Sequence, residues 1–277
     1  MSLMIERLVR YLMIKWFGLI YFLKAKFFIA IGSQKKRNAD VVLSMGDIRT
    51  AKVAVILHLY YESCWDEIDY YLSNIADPLD LYVSLGEHVS KATEDKLLIK
   101  FPNAVIYKLP NIGRDIAPFI HIFKSIDVNR YEAICKIHSK KSKHRVDGAL
   151  WRNYLLGRLL GSSRKVKLIR ENLNDSDVGM ISPYFHRLCS KNYINDNQEL
   201  LSKLIEMHGE SYGSVSFDFV GGSMFWFKPQ ALEPLLFMDI GSFELENNQL
   251  DGTLAHAVER YLGYVVLKVQ KMKIKEI

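Results

Sequence analysis

Cysteine is scarce in this chain of 277 residues, and the lack of paired cysteines removes several classes of protein from consideration. The three cysteines are Cys64, Cys135 and Cys189, and they form neither a CxxC pair nor a spacing typical of metal ligands. A disulfide-stapled secreted fold and a cysteine-based zinc site are therefore not predicted. Three separate thiols fit a reduced compartment, with the side chains in the core or on the surface.

The chain also lacks a long uncharged apolar run, although its first forty residues are rich in Leu, Ile, Phe, Tyr and Trp. Charged residues divide this segment, so uncharged stretches such as residues 16–23 fall far short of the ~20 apolar residues of a membrane-spanning helix. No small-residue cleavage site follows an uninterrupted apolar core, which argues against a secretory signal peptide.

Residues 1–45 are instead predicted to form a basic apolar helix on an anionic membrane surface, at the cytoplasmic leaflet. Its lysines and arginines can keep their charged ends at the lipid headgroups, and Lys35, Lys36 and Arg37 extend the positive charge. The alternative is a terminal helix that packs on the domain or on a second subunit. Deletion of residues 1–40 would distinguish the two by its effect on membrane recovery.

The overall charge favours an acidic partner. A net charge of +6 and 49% hydrophobic residues describe a chain with a substantial core and a basic surface. Nucleic acid, an anionic membrane and a phosphorylated small molecule all fit that charge. Nucleic acid fits least, because the cations cluster in one loop and no recognisable nucleic-acid module is present. No nucleic-acid partner is predicted.

From residue 53 onward, short β-like runs alternate with helical patterns. Apolar runs predict strands over residues 53–59, 81–85, 104–109, 131–138 and 178–183. This βαβα order predicts an α/β domain over residues 50–277, with a mostly parallel, Rossmann-like sheet flanked by helices. Near the C-terminus, the pattern predicts a helix that closes near Gly263 and is followed by a strand.

Polar and glycine-rich stretches follow several of these strands, and the carboxyl edge of such a sheet would bring them together. The candidate ligand-binding residues are His58, Asn111, Gly113, Arg114, Asp115, His138, Lys140, Lys141, Gly221, Gly222, Ser223 and His256, with Asp251 as a candidate general base.

Each stretch also has a simpler interpretation. The loop at Gly113 can bring backbone N–H groups to a ligand, with Arg114 free to pair with phosphate and Asp115 free to cap the next helix, or it can be an ordinary capped turn. The cluster after His138 can be a solvated loop. The aromatic residues that follow Gly222 fit the core better than a sugar-stacking surface.

Asp251 stands at or near the start of a predicted helix, so it can also act only as an N-cap. His256 and Glu259 lie three residues apart on that helix and can simply pair on its surface. No HExxH motif or cysteine cluster is present, so the sequence predicts no resident cofactor, with a divalent metal left as an alternative that no motif indicates.

Seven stretches occur in order between residues 53 and 266: VILHLYY, NIGRDIAPF, KIHSKKS, WRNYLLGRLLGS, GMISP, FVGGSMFWFKPQAL and DGTLAHAVER. Together they resemble the rhamnan synthesis protein F family of bacterial surface-polysaccharide assembly. The resemblance implies a hexosyl- or rhamnosyltransferase that uses a nucleotide sugar and extends a lipid-linked glycan of the O-antigen (lipopolysaccharide) or rhamnan type. It also implies a peripheral location on the inner face of the bacterial cytoplasmic membrane, with other polysaccharide-assembly enzymes as possible partners.

The same order is more distantly similar to inverting glycosyltransferases of the GT-A fold. That similarity implies a small-residue acceptor segment at Gly221–Met224, Asp251 as the base and Arg260 beside it, with Glu244 and Glu246 as the nearest other acids. The strand-ending DxD motif of those enzymes would fall at KIHSKKS, where cations replace the acids. His138, Lys140 and Lys141, helped by Arg114, would then neutralise the leaving diphosphate in place of a metal. A non-catalytic glycan-binding or scaffold subunit is the alternative.

Overall fold

A central sheet is built largely from the apolar runs of the sequence. The computed structural model describes residues 3–30, 51–139, 147–247, 249 and 251–277. Its strands are β1 (Val53–Leu59), β2 (Leu79–Gly86), β3 (Val105–Leu109), β4 (Ala133–His138), β5 (Val178–Ser182), β6 (Arg187–Cys189), β7 (Asp218–Val220), β8 (Phe225–Phe227) and β9 (Lys273–Glu276). Seven of them form one sheet in the order β3-β2-β1-β4-β8-β5-β9, and β6 and β7 form a separate antiparallel ribbon.

The first four strands of the large sheet run parallel to one another. β8 is antiparallel to both of its neighbours, and β9 is parallel to β5. The predicted α/β class, with a mostly parallel sheet flanked by helices, is confirmed. The chain winds outward from β1 to β2 and β3 and then returns to place β4 on the other side of β1. Open α/β sheets bind ligands where the strand order reverses, in a crevice at the carboxyl ends of the strands, and here that position is the end of β1 and β4.

Helices cover both faces of the sheet. They are α1 (Leu3–Ala30), α2 (Trp65–Leu72), α3 (Lys91–Lys100), α4 (Ile116–Ser125), α5 (Gly148–Leu160), α6 (Ser163–Leu173), α7 (Gln198–Glu206) and α8 (Leu254–Tyr264). The apolar side chains of α1, α2, α3, α5 and α6 share one core, and those of α4, α7 and α8 share the other. Alternate residues of β1 point into the two cores, which is why its sequence is apolar throughout.

Phe225, Trp226 and Phe227 are buried in β8. The expectation that this aromatic run belongs to the core is confirmed. The strand β8 lies between β4 and β5. Because the chain reverses its direction at the Gly221–Ser223 turn before it enters β8, this strand runs antiparallel to both neighbours.

The predicted strand after Gly263 is wrong. The helix α8 continues beyond Tyr264 into a π-helical turn over Val265–Val269, and the strand β9 comes only afterwards. Gly263 does not end the helix. A Cβ at this position would collide with the backbone of Asp218 and Phe219, so the glycine permits close packing of α8 on β7. Burial of Val265 and Val266 in the core favours the helix over the strand that a β-branched run suggests.

The predicted N-terminal helix is present over Leu3–Ala30 and packs along α5 and α2. One face of α1 therefore packs on the domain, which is one of the two predicted placements of this helix. The rest of the segment, residues 31–45, lies outside the described residues. Among the helices that the structure describes, none is both long and apolar enough to cross a membrane.

Candidate active site at the carboxyl edge of the sheet

The crevice at the chain reversal begins with two histidines. His58 and His138 are the last register partners of the parallel pair β1 and β4. Just beyond them, Ser139 joins the two strand ends: its N–H donates to the His58 carbonyl (2.9 Å), and its hydroxyl accepts from the N–H groups of Tyr60 and Tyr61 (2.8 Å each). These hydrogen bonds fix the direction in which the chain leaves both strands.

A buried ion pair lies behind His138. The ammonium of Lys136 lies 2.5 Å from a carboxylate oxygen of Asp115 and also donates to the Ser223 carbonyl (2.7 Å). The hydroxyl of Ser223 donates to the same carboxylate oxygen (2.5 Å). Asp115 occupies the N-cap position of α4, as expected, but its carboxylate makes no capping hydrogen bond. The carboxylate instead connects β4 to the glycine segment.

Charge and burial set the protonation of this group. Burial alone would raise the pKa of Asp115, but the charges of His138 and Lys136 and hydrogen bonds from Lys136 and Ser223 hold it well below its usual range. Burial lowers the pKa of His58 to about 4, with Asp115 opposing the shift, and His58 Nδ1 lies 2.9 Å from the Ser84 hydroxyl. At neutral pH, Asp115 is therefore ionised and His58 is neutral.

The segment Gly221–Ser223 forms a tight turn whose polar groups bond to protein partners. Gly222 and Ser223 both have positive φ, at 88° and 47°. The Gly222 carbonyl lies 3.0 Å from His138 Nε2, and its N–H donates to a Glu259 carboxylate oxygen at 2.6 Å. The N–H of Gly221 donates to the His186 carbonyl (2.8 Å). Gly222 and Ser223 line the crevice, and the backbone N–H groups of all three residues already have protein acceptors.

The loop after β3 was expected to hold a free arginine, and the structure shows a different arrangement. Arg114 (φ 58°) pairs with Glu246 at 3.2 Å, donates to the Gln249 carbonyl at 3.1 Å and contacts His256 Nε2. Because a guanidinium can only donate, Nε2 of His256 is the acceptor in this contact. To reach a ligand phosphate, this half-exposed guanidinium must exchange one of these partners.

Two neighbours of Arg114 complete this loop. Gly113 adopts a positive φ of 60°, where a Cβ would meet Ala117 and Phe243, and its N–H donates to the Glu244 carbonyl at 3.1 Å. The amide of Asn111 donates to the Tyr60 hydroxyl at 3.4 Å, so this loop also reaches the end of β1.

Asp251 lies across the crevice at the approach to α8. The N-cap residue of α8 is Thr253, so the interpretation of Asp251 as the N-cap is wrong. Its carboxylate accepts from Asn197 (2.5 Å) and Asn195 (2.6 Å) and lies 3.4 Å from the Arg260 guanidinium. His256 and Glu259 do not simply pair with each other on the helix surface. His256 contacts Arg114, whereas Glu259 accepts the N–H of Gly222 and pairs with Arg260.

The surroundings of Asp251 keep it ionised. Burial opposes the charge, but the hydrogen bonds from Asn197 and Asn195, followed by the charges of Arg260 and His256, lower its pKa. The two other nearby acids have their own partners: Glu244 accepts the N–H of Leu254 with both oxygens (3.1 Å each), and Glu246 pairs with Arg114.

The structure thus brings together the loop after β3, the end of β4, the glycine turn and the start of α8. Arg114 connects the β3 loop to α8, and Glu259 connects the glycine turn to α8. Gly221 faces away from this group, with its α-carbon against Leu188. Lys140 and Lys141 lie outside the described residues.

A divalent metal does not fit the residues that the structure describes at the end of β4, because His138 and Ser139 lie beside Lys136 and the Asp115 carboxylate is already paired with that lysine. The one acidic triplet of DxD form in the sequence, Asp175–Asp177, precedes β5 and so lies at the amino end of that strand, away from the crevice. Asp175 pairs with Lys275, and Asp177 pairs with Lys273. Within the described ranges, no group of three or more His, Cys, Asp or Glu side chains could hold a metal ion.

Three contributors were missed in the sequence. Lys136 lies within a predicted apolar strand, Ser139 lies in the stretch that follows it, and Asn197 is not among the candidate residues. The signal for Lys136 was present, since a lysine in the middle of a buried strand requires a partner. No local signal identified Asn197, because its contact with Asp251 joins residues 54 positions apart.

The known proteins that resemble this chain are consistent with its order of motifs. The family described as rhamnan synthesis protein F matches residues 26–271. Two proteins named uncharacterized protein WxcX, from the B100 and ATCC 33913 strains of Xanthomonas campestris pv. campestris, are each 33% identical over 224 residues. The match covers 79% of this chain and 32% of theirs, so the chain spans about a third of the length of these relatives.

Among solved structures, the mannosyltransferase PcManGT from Pyrobaculum calidifontis, in complex with GDP-Man and Mn2+, aligns with 83% of this chain and 57% of its own. The TM-score is 0.38 and the sequence identity is 13%.

Proposed function

The chain belongs to the rhamnan synthesis protein F family, and from that premise we propose that it is a glycosyltransferase of polysaccharide synthesis. In this proposal it moves a sugar from a nucleotide-sugar donor to a growing, lipid-linked surface glycan. The observation that carries the proposal is the convergence of Arg114, the end of β4 and Asp251 around the crevice where the sheet reverses its strand order. Such a crevice binds ligands in open α/β sheets.

The donor diphosphate would lie at the end of β4. Asp115 neutralises Lys136 behind the strand, so the cations that follow His138 in the sequence, Lys140 and Lys141, are the ones we assign to the phosphates, with Arg114 from the β3 loop. Each hydrogen bond to a charged group contributes about 1.5 to 3 kcal/mol, so removal of one should slow transfer roughly tenfold to a hundredfold.

The acceptor would approach from the side of α8. Asp251 takes the proton of the acceptor hydroxyl while that oxygen bonds to the anomeric carbon, and the bond to the phosphate oxygen breaks with its electron pair leaving on the nucleoside diphosphate. Attack from the face opposite the leaving group inverts the anomeric centre. Asn195 and Asn197 hold the carboxylate in place, and Arg260 keeps it ionised.

A second candidate, a glycan-binding subunit without turnover, has one specific observation in its favour. Both oxygens of Asp251 already accept hydrogen bonds from protein side chains, which a structural carboxylate would also show. The two candidates differ in whether a donor is consumed.

The test is release of nucleoside diphosphate from a panel of donors (dTDP-rhamnose, UDP-galactose, UDP-glucose and GDP-mannose) with a lipid-linked acceptor extract, with and without EDTA. We expect release with at least one donor, and survival of that release in EDTA. Release that EDTA abolishes would keep the transferase but contradict the cationic diphosphate site. Folded protein that binds glycan and releases no diphosphate from any donor would overturn the proposal in favour of the binding subunit.

A further inference from the structure

Helix α1 is docked firmly on the domain through one face. Ile14, Gly18, Tyr21, Ala25 and Phe28 recur at intervals of three and four residues, which places them on one side of the helix. A Cβ on Gly18 would collide with the backbone of Leu150, so the helix lies directly against α5. The Tyr21 hydroxyl accepts from Lys165 at 2.8 Å, and Phe28 stacks on Tyr70 with ring centres 5.9 Å apart.

The opposite face of the same helix is apolar and exposed. Leu8, Leu12, Trp16, Leu19, Leu23 and Phe27 recur at intervals of three and four residues, and every one is exposed. Met4, Ile5, Val9, Tyr11 and Ile20 widen the stripe. The helix of 28 residues is roughly 42 Å long at about 1.5 Å per residue, so the stripe is a continuous surface. Exposed apolar surfaces of that extent mark interaction sites.

The charges on α1 are mostly positive. Five cations, Arg7, Arg10, Lys15, Lys24 and Lys26, accompany a single acid, Glu6. The whole chain carries a net charge of +6, and Lys35, Lys36 and Arg37 follow the helix in the sequence. An apolar stripe of Leu, Trp and Phe on a helix of net positive charge is complementary to a bilayer surface that contains anionic lipids. A second copy of the chain, which would carry the same positive charge, lacks that complementarity.

We propose that α1 lies in the plane of an anionic bilayer surface, with its free face in the headgroup boundary and its docked face holding the domain against the membrane. The docked face is what makes this different from a flexible tether. Because α1 packs on both α5 and α2, a membrane that binds the free face also fixes the orientation of the crevice.

The amino end of α1 reaches the acceptor side of the crevice. The guanidinium groups of Arg7 and Arg10 lie 5.0 Å and 5.2 Å from the centre of the Tyr193 ring. The carbonyl of Tyr193 accepts from Arg260 at 3.3 Å, and Arg260 pairs with Asp251. Binding of α1 to a bilayer would therefore place Asp251 near the lipid surface, where a lipid-linked acceptor is anchored. This last step rests on the proposed function, whereas membrane binding itself does not.

The test is flotation of the purified full chain with vesicles of phosphatidylcholine, alone or mixed with phosphatidylglycerol. We expect flotation with the mixed vesicles and much less with the neutral ones. The combined variant Leu12→Glu, Trp16→Glu, Leu23→Glu changes only exposed side chains, and it should lose more than about tenfold in partitioning while it keeps the wild-type melting temperature. The control variant Ile99→Glu, Met207→Glu, Phe237→Glu alters exposed apolar residues elsewhere and should float like the wild type.

Light scattering in the absence of lipid identifies the other occupants of this face. Wild-type protein that does not float, or a helix variant that floats as well as the control, would overturn the proposal. A wild-type dimer that the helix variant converts to monomers, without vesicle binding by either, would assign the face to a second copy. Because flotation needs no substrate, protein that floats but releases no diphosphate would contradict the proposed function alone.

Discussion

Asp251 has the two properties that a base for a sugar hydroxyl needs: it is ionised, and it stands at the edge of a crevice. The same contacts that lower its pKa also make it a weaker base, so its geometry must compensate for its basicity. The amides of Asn195 and Asn197 fix both carboxylate oxygens, and a new acceptor hydroxyl can share them.

Replacement of this carboxylate tests that role. Asp251→Asn keeps the shape of the side chain and removes the proton acceptor, so we expect transfer to fall at least about a hundredfold. The measurement is diphosphate release with the best donor of the panel, beside a melting curve. Asp196→Asn, which alters a neighbouring exposed carboxylate, is the control and should keep full activity. Folded Asp251→Asn protein with wild-type activity would direct the search for the base to Glu244 or Glu246.

His58 contributes a pH dependence of stability whose sign follows from its low pKa. The unfolded chain binds a proton at this residue near pH 6.5, whereas the folded protein does so only near pH 4. The folded state therefore loses stability as the pH falls from 6.5 to about 4. Above that range, the stabilising contribution of the neutral His58 is fully present.

We expect the free energy of unfolding in urea to fall by about 2 kcal/mol more in the wild type than in His58→Gln between pH 7 and pH 5. Glutamine can keep the hydrogen bond to Ser84 but cannot titrate. His121→Gln, on α4, is the control and should follow the wild type. Parallel pH curves for wild type and His58→Gln would show that His58 is as easily protonated in the folded protein as in the unfolded one.

At the scale of helices and strands, the sequence predicts the parallel half of the sheet well. β1, β2 and β4 are buried on both faces, whereas β3 is a partly exposed edge strand. The order of these strands with the intervening helices determines where the crevice lies. The short strands β6, β7 and β8 have three residues each, which is too few to show a period. For the same reason, the structure brings together the candidate residues that follow long strands, whereas Asn195 and Asn197, two partners of Asp251, were not among the candidates.

Docking of α1 on α5 depends on two glycines that give no local signal of their role. A Cβ on Gly157 would enter the ring of Tyr21, as one on Gly18 would meet Leu150. We expect Gly157→Ala to lower the free energy of unfolding by about 1 to 3 kcal/mol, because the added methyl group overpacks this contact. Gly213→Ala, where a Cβ meets open space, is the matched control. Equal melting temperatures for the two variants would mean that α1 contributes little to the stability of the domain.

At the scale of the whole molecule, α1 links the proposed membrane contact to the domain that carries the proposed active site. One face of α1 is part of the core that covers the sheet, and the other is the surface proposed to meet the membrane. A catalytic domain that binds a bilayer in a fixed orientation gains a high local concentration of any acceptor anchored in the same bilayer. A water-soluble acceptor gains nothing from that arrangement.

Activity should therefore respond to lipid only when the acceptor is lipid-linked. We expect phosphatidylglycerol vesicles to raise transfer to a lipid-linked acceptor at least about tenfold and to leave transfer to its water-soluble analogue unchanged. The Leu12→Glu, Trp16→Glu, Leu23→Glu variant should keep the second rate and lose the stimulation of the first. High salt should act in the same way as the variant, since it screens the attraction between the basic helix and the anionic surface. Equal stimulation of both acceptors would instead point to a lipid that activates the enzyme through its conformation, and the orientation of the crevice would then play no part.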